Sequence, residues 1–168
     1  MAISIYDISV PLLLKGLKVT TDYIDKADAF CAERKIEPAV LINARLAPDM
    51  LPFSGQVQRV SDGAKAGMGR LTGIEVPSFP DTETTFAQLK ERVQKTEAFI
   101  KSVPQSKLDG TETRKVELKM RDRTVEFTGL SFVTTFLLPN LYFHVTTAHD
   151  ILRHNGVNIG KRDYLGAN

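Results

Sequence analysis

The chain has 168 residues, 42% hydrophobic and 25% charged, which is the usage of one globular domain rather than a disordered or fibrous chain. Its 22 Lys and Arg against 20 Asp and Glu leave a net charge of +2, with no excess that would recruit nucleic acid or an anionic membrane. Cys31 is the single cysteine, so an internal disulfide and a cysteine-rich zinc site are excluded, and no run approaches the roughly 18 apolar residues of a membrane span. The opening MAISIYDISV also lacks the basic and apolar runs of a signal peptide. A soluble, cytoplasmic, single domain over 1–168 is the expectation.

Taken in chain order, four segments carry helical periodicity. Leu13, Leu17, Thr20, Ile24, Ala27 and Cys31 alternate by four and three, which predicts a helix over 11–33. After the proline-punctuated loop EPAVLINARLAPDMLP, the stripe Phe53, Val57, Val60, Ala64, Met68 and Leu71 predicts a second over 53–71. That segment also holds Gly55, Gly63, Gly67 and Gly69, each costing about 1 kcal/mol against alanine in a helix interior, so it needs tertiary support. Such small residues also permit the close approach of a neighbouring helix.

A third helix is expected over 83–102, from the Thr-rich DTETT through Phe86, Leu89, Val93, Thr96, Ile100 and Val103 to Pro104. The period then changes to two. KVELKM and TVEF alternate about the turn RDR, which predicts a hairpin over 114–128 with Val116, Leu118 and Met120 inward, facing Val125 and Phe127. Its basic residues interleave with Glu117, Asp122 and Glu126, so the hairpin reads as a solvated face rather than an RNA surface. The last helix, 130–155, carries Leu130, Val133, Leu137, Leu141, Ala148 and Leu152, and Pro139 should kink it. The fold class is therefore all-α: an antiparallel four-helix bundle with short connections and a small β-hairpin before the last helix.

All three histidines, His144, His149 and His154, lie in this last helix. At about 100° per residue from His144, Ala148 falls near 40°, His149 near 140°, Asp150 near 240° and His154 near 280°. One straight helix cannot bring all three to one ion. His144 sits on the apolar stripe and has two readings: a core imidazole hydrogen-bonded from another segment, or a ligand or acid/base at a pocket floor. Asp49 is its first expected partner, with Gln56 and Asp62 as the others. Asp150 and His154, at i and i+4, read either as metal ligands or as surface neighbours near a helix C-terminus. His149 is expected in solvent or in a contact, and Cys31 in the core. GAKAGMGRLTG follows a helical pattern, not a strand, so it is not read as a phosphate loop.

The stretches LINARLAPDM, DTETTFAQL, LPNLYFHVTTAHDILRHNG and GKRDYLG together resemble a DinB-related bacterial family of unknown function, over nearly the whole chain. The resemblance implies the DinB/YfiT-like bundle, grouped with candidate metalloenzymes and including thiol-dependent transferases and isomerases and bundles that pair as homodimers. It implies a metal site built from a second-helix histidine and an H-x-x-x-H pair of the last helix. The second long helix here has no histidine, and DILRHNG matches the pair with Asp150 and His154. Two functions stand open: a binding, non-catalytic member whose metal site has degenerated, with a small-molecule ligand, or a metal-assisted hydrolase or thiol-transferase-like enzyme around His144 and Asp49. No stoichiometric zinc or nickel is expected. A divalent metal, if bound, would draw on His144, Asp150, His154 and Asp62.

Overall fold

The computed structural model describes residues 3–120 and 122–166. Its elements are α1 (Ile5–Arg34), α2 (Pro38–Ile42), α3 (Phe53–Thr72), α4 (Phe86–Ser102), β1 (Lys115–Lys119), β2 (Thr124–Thr128), α5 (Gly129–Phe132), α6 (Leu138–His154) and α7 (Lys161–Leu165). The protein is mostly helical, with one two-stranded antiparallel hairpin. Among the described residues no helix is long and apolar enough to cross a membrane.

The first helix begins earlier than residue 11. Ser4 Oγ accepts from the Asp7 N–H while the Asp7 carboxylate accepts from the Ser4 N–H, and this reciprocal cap starts α1 at Ile5. Pro11 therefore lies inside the helix, where it removes one ladder donor, instead of opening it. Two further helices escaped the periodicity because each is only five residues long. α2 forms within the proline-punctuated loop with Pro38 in its first turn, and α7 follows the last long helix.

The apolar stripes of α1, α3 and α4 are buried at the spacing expected, from Leu13 to Cys31, Phe53 to Leu71 and Phe86 to Val103. The glycines of α3 serve contacts within the chain. A Cβ on Gly67 would come within 2.6 Å of Leu137, and one on Gly63 within 3.3 Å of Asn140. That close approach fixes α6 against α3, and it is the helix contact that these small residues were expected to permit.

Paired residues give the helix directions. Along α3 and α6 the contacts Gly67–Leu137, Gly63–Asn140 and Gln56–His144 run in opposite senses. Along α1 and α6, Gly16–Leu141, Tyr23–His149 and Phe30–Gly156 advance together. Along α3 and α4, Phe53–Phe86 and Ser61–Thr96 also advance together. Because α3 and α4 run the same way, the chain between them must travel back along a helix about 30 Å long. Residues 73–85 do this as a strap, within the roughly 40 Å that such a segment can span. The expected short connection is replaced by a crossover here.

The strap is pinned along its length. Phe79 lies against Lys65 Nζ and the Arg92 guanidinium, at 5.0 and 5.8 Å from its ring centre. Arg92 is almost completely buried. Its Nη1 donates to Glu83 (2.7 Å) and to the Pro80 carbonyl (3.1 Å), its Nη2 to Asp62 (2.8 Å), and its Nε to Ser61 Oγ (3.3 Å). Asp81 completes the cluster at 2.9 Å from Arg92 and 2.6 Å from Arg59. Burial alone would raise the Asp62 and Glu83 carboxyls, but the hydrogen bonds and charges of Lys65, Arg92 and Gln58 outweigh it and hold both below their ordinary values.

The hairpin pairs Val116 with Phe127 and Leu118 with Val125. Phe127 packs on Phe132 and Phe136, with all three ring centres within 6.0 Å of one another, which seats the hairpin on the last helical segment. Met120 lies past the end of β1 and is exposed, against the expectation that it faces inward. Of the expected turn RDR, Arg121 lies outside the described residues. Lys115 is held by Glu117 (3.0 Å) and Glu126 (2.6 Å), so the interleaved charges neutralise one another locally.

Pro139 changes the last helix as expected, but through a π turn rather than a simple bend. Val133–Leu137 is π-helical, and the Leu138 N–H reaches back five residues to the Val133 carbonyl. Proline has no N–H for the ordinary ladder, and the extra residue absorbs that gap. It also rotates the preceding turn. Leu130, expected on the core stripe, is 46% exposed, while Phe132 and Val133 are buried.

Candidate functional site

His144 emerges from α6 half-buried, facing the first turn of α3. Its Nδ1 lies 2.8 Å from Gln56 Oε1, and Gln56 Nε2 lies 3.0 Å from the Leu51 carbonyl. The carbonyl can only accept, so the Gln56 amide must donate to it and present its own oxygen to the imidazole. His144 Nδ1 therefore carries the proton, and Nε2 keeps the lone pair. Burial first, and the Arg59 charge second, lower the His144 pKa from its ordinary 6.5. The result is a neutral, oriented imidazole with one nitrogen able to accept a proton or a ligand. The Phe143 ring stands edge-on beside it, with centroids 5.3 Å apart.

The partner is Gln56 and not Asp49, which is exposed in the loop before α3. The reason is helix register: Gln56 projects from the buried side of α3 directly opposite His144. The other candidate ligands are not gathered there. Asp62 is engaged by Arg59 (3.1 Å), Lys65 (2.9 Å) and Arg92 (2.8 Å). Asp150 and His154 are exposed, and by helix rise they stand about 9 and 15 Å farther along α6 than His144. Among the described residues no three His, Cys, Asp or Glu side chains are grouped to hold a metal ion.

The second histidine has a partner that the helical wheel did not suggest. His149 Nδ1 lies 2.9 Å from the hydroxyl of Tyr23, a residue of α1 with no exposed surface. Burial leads the causes that push the Tyr23 phenol well above its ordinary value, so it stays protonated. Tyr164 of α7 closes the other side of the His149 ring, at 6.4 Å between centroids. A wheel treats this flank of α6 as surface, but α1 and α7 cover it. An ion pair between Lys26 and Asp163, and the Asp163 carboxylate accepting from the Gly160 N–H (2.7 Å), tie α7 down. Cys31 is buried in the core, as its place on the stripe predicts.

A coupling of about 1 kcal/mol is expected between Gln56 and His144, since losing one partner strands the other in a poorly solvated place. A double-mutant cycle with Gln56→Leu and His144→Leu measures it, and strict additivity would remove the pair from the account. In an NMR titration, the His144 ring resonances should move with a midpoint below 6.5.

No curated protein matches the chain. A family described as a domain of unknown function, DUF1993, matches residues 5–165. The crystal structure of a DinB family member from Shewanella denitrificans superposes with a TM-score of 0.87 at 38% identity, covering 97% of this chain and 92% of that one. The chain belongs to DUF1993, a DinB-related family of unknown function.

Proposed function

We propose that the protein is a binding, non-catalytic member of its family whose metal site has degenerated, with His144 held in a hydrogen bond instead of on a metal. Its four long helices are read as a DinB/YfiT-like bundle in which α1 and α6 run against α3 and α4, acting in the cytoplasm and holding no stoichiometric metal. The observation that carries the reading is the Gln56–His144 pair. The second long helix, from which the resemblance expects a histidine, offers Gln56, Gln58 and Asp62 instead, and Gln56 is the one that meets His144. Asp150 and His154, which match the H-x-x-x-H pair, are exposed and stand about 9 and 15 Å farther along α6 than His144. One imidazole nitrogen and one amide oxygen already in use do not make a zinc or nickel site, which needs three or more matched donors. The donor set does not fit the metal.

Zinc titration by calorimetry tests this. Wild-type protein is expected to bind no tighter than about 10 µM, and Gln56→His, which sets a second imidazole against His144, should bind at least about tenfold tighter. Submicromolar zinc affinity in the wild type would overturn the reading.

The pairing of chains belongs to the same proposal. Phe143 and Leu51, 58% and 44% exposed, flank the His144–Gln56 pair and give an apolar surface for a second copy. Sedimentation at micromolar concentration should give a species of twice the 18.7 kDa chain mass. A monomer alone would count the dimer out.

A further inference from the structure

On the opposite side of α6 from His144, a groove runs between α1, α6 and α7. It is lined by Leu12, Gly16 and Val19 of α1, Tyr142 and Val145 of α6, and Tyr164 and Leu165 of α7, with Lys15 at its rim. The lining is chiefly apolar, and the cavity measures about 170 Å³. An apolar cavity of about 150 Å³ holds one benzene ring, so this one accepts a body of six to eight carbons, on that order.

Polar groups are few and of one kind. Lys18 is paired with Asp22, and Lys26 with Asp163, but Lys15 has no ion-pair partner among the described residues. Tyr142 and Tyr164 are close neighbours, and burial leads the causes that raise the Tyr142 phenol, so it stays a neutral hydroxyl that can donate. One unpaired ammonium and two phenols at the edge of an apolar slot complement a single negative charge carried on an apolar body.

We propose that this groove binds a small monocarboxylate, an aromatic or short-chain aliphatic acid, with its apolar body between α1, α6 and α7 and its carboxylate at Lys15. The site is separate from the His144–Gln56 pair and does not depend on whether that pair binds metal.

The test uses the full chain with benzoate and hexanoate as probes, against benzyl alcohol and 1-hexanol, followed by calorimetry and by amide NMR shifts. Saturable binding of at least one acid is expected, with shifts at Val19, Val145 and Tyr164 and none at Gln56. Each alcohol should bind at least about tenfold more weakly than its acid, the loss expected for a charge-assisted hydrogen bond. Lys15→Gln should weaken the acid by the same factor, at unchanged melting temperature. Leu12→Trp, which fills the mouth of the groove from a half-buried position, should abolish binding of acid and alcohol alike. The proposal is overturned if neither acid saturates the protein by about 10 mM, if the alcohols match the acids, or if Lys15→Gln binds like wild type.

Discussion

Replacing Arg92 with leucine is expected to remove about 3–5 kcal/mol of stability, the cost of breaking a buried charge cluster from one side. Arg92 is 3% exposed, and its guanidinium is shared among Asp62, Asp81, Glu83, Ser61 and the Pro80 carbonyl. Without it, Glu83, whose side chain is 10% exposed, keeps a buried charge with Gln58 and its own backbone N–H to donate to it but no cation. Arg92→Lys should recover part of the loss, since a point charge cannot serve five acceptors held in a fork. Urea denaturation measures both variants. Hydrogen exchange should show amides of the strap, 74–84, losing protection before the long helices do, because the cluster is what holds the strap along α3.

The same cluster sets an acid limit. The Asp62 and Glu83 carboxyls have folded pKa values below their unfolded ones, near 3.8 and 4.5. Their contribution is therefore complete above those unfolded values and is lost as pH falls through the lower folded values. The gap between wild type and Arg92→Leu should narrow steadily below about pH 4. A gap that widened on acidification would contradict the pairing.

Gly129→Ala is expected to cost about 3 kcal/mol, the upper end of overpacking, and to lower the melting temperature by about 6–12 °C. Gly129 joins β2 to α5, and a Cβ there would overlap the Thr111 carbonyl oxygen, which is backbone and cannot swing aside. Next to it, the Leu130 N–H donates to the Glu112 carbonyl at 2.9 Å, so moving the Thr111 segment also breaks the clasp between hairpin and helix. Calorimetric scanning checks the shift. A loss under about 0.5 kcal/mol, the level of an ordinary surface change, would show that the junction is looser than drawn.

Where burial follows a repeating spacing, the fold could be read from the residues. The α3 stripe from Phe53 to Leu71 and the switch to period two in KVELK and TVEFT depend on local pattern, and both stand. Direction does not depend on local pattern. Nothing in the spacing of α3 and α4 says that they run the same way, so the strap and its Arg92 anchor stayed hidden. The acidic residues of PDTE, eleven and nine positions before Arg92, were the available signal. The phase of the last helix was misread at Leu130 because a π turn adds a residue that a 3.6 period cannot represent.

At the site, His144 was singled out correctly as a residue that must find a partner. The partner was misassigned because charge was weighted above register. Asp49 is the stronger acceptor, but Gln56 lies on the helix face that meets α6. His149 was expected in solvent or in a contact, and the contact is what forms; a wheel sees one helix, so it could not name Tyr23 and Tyr164, which come from two others.

If the bundle has lost its metal site and holds His144 in a hydrogen-bonded pair, as proposed above, metal content decides the matter. Protein purified without a polyhistidine tag and without added metal should carry less than about 0.1 zinc or nickel per chain by elemental analysis, as a site lacking three matched donors predicts. About one zinc or nickel per chain, lost when His144 is changed to alanine, would contradict the account and restore the metalloenzyme reading.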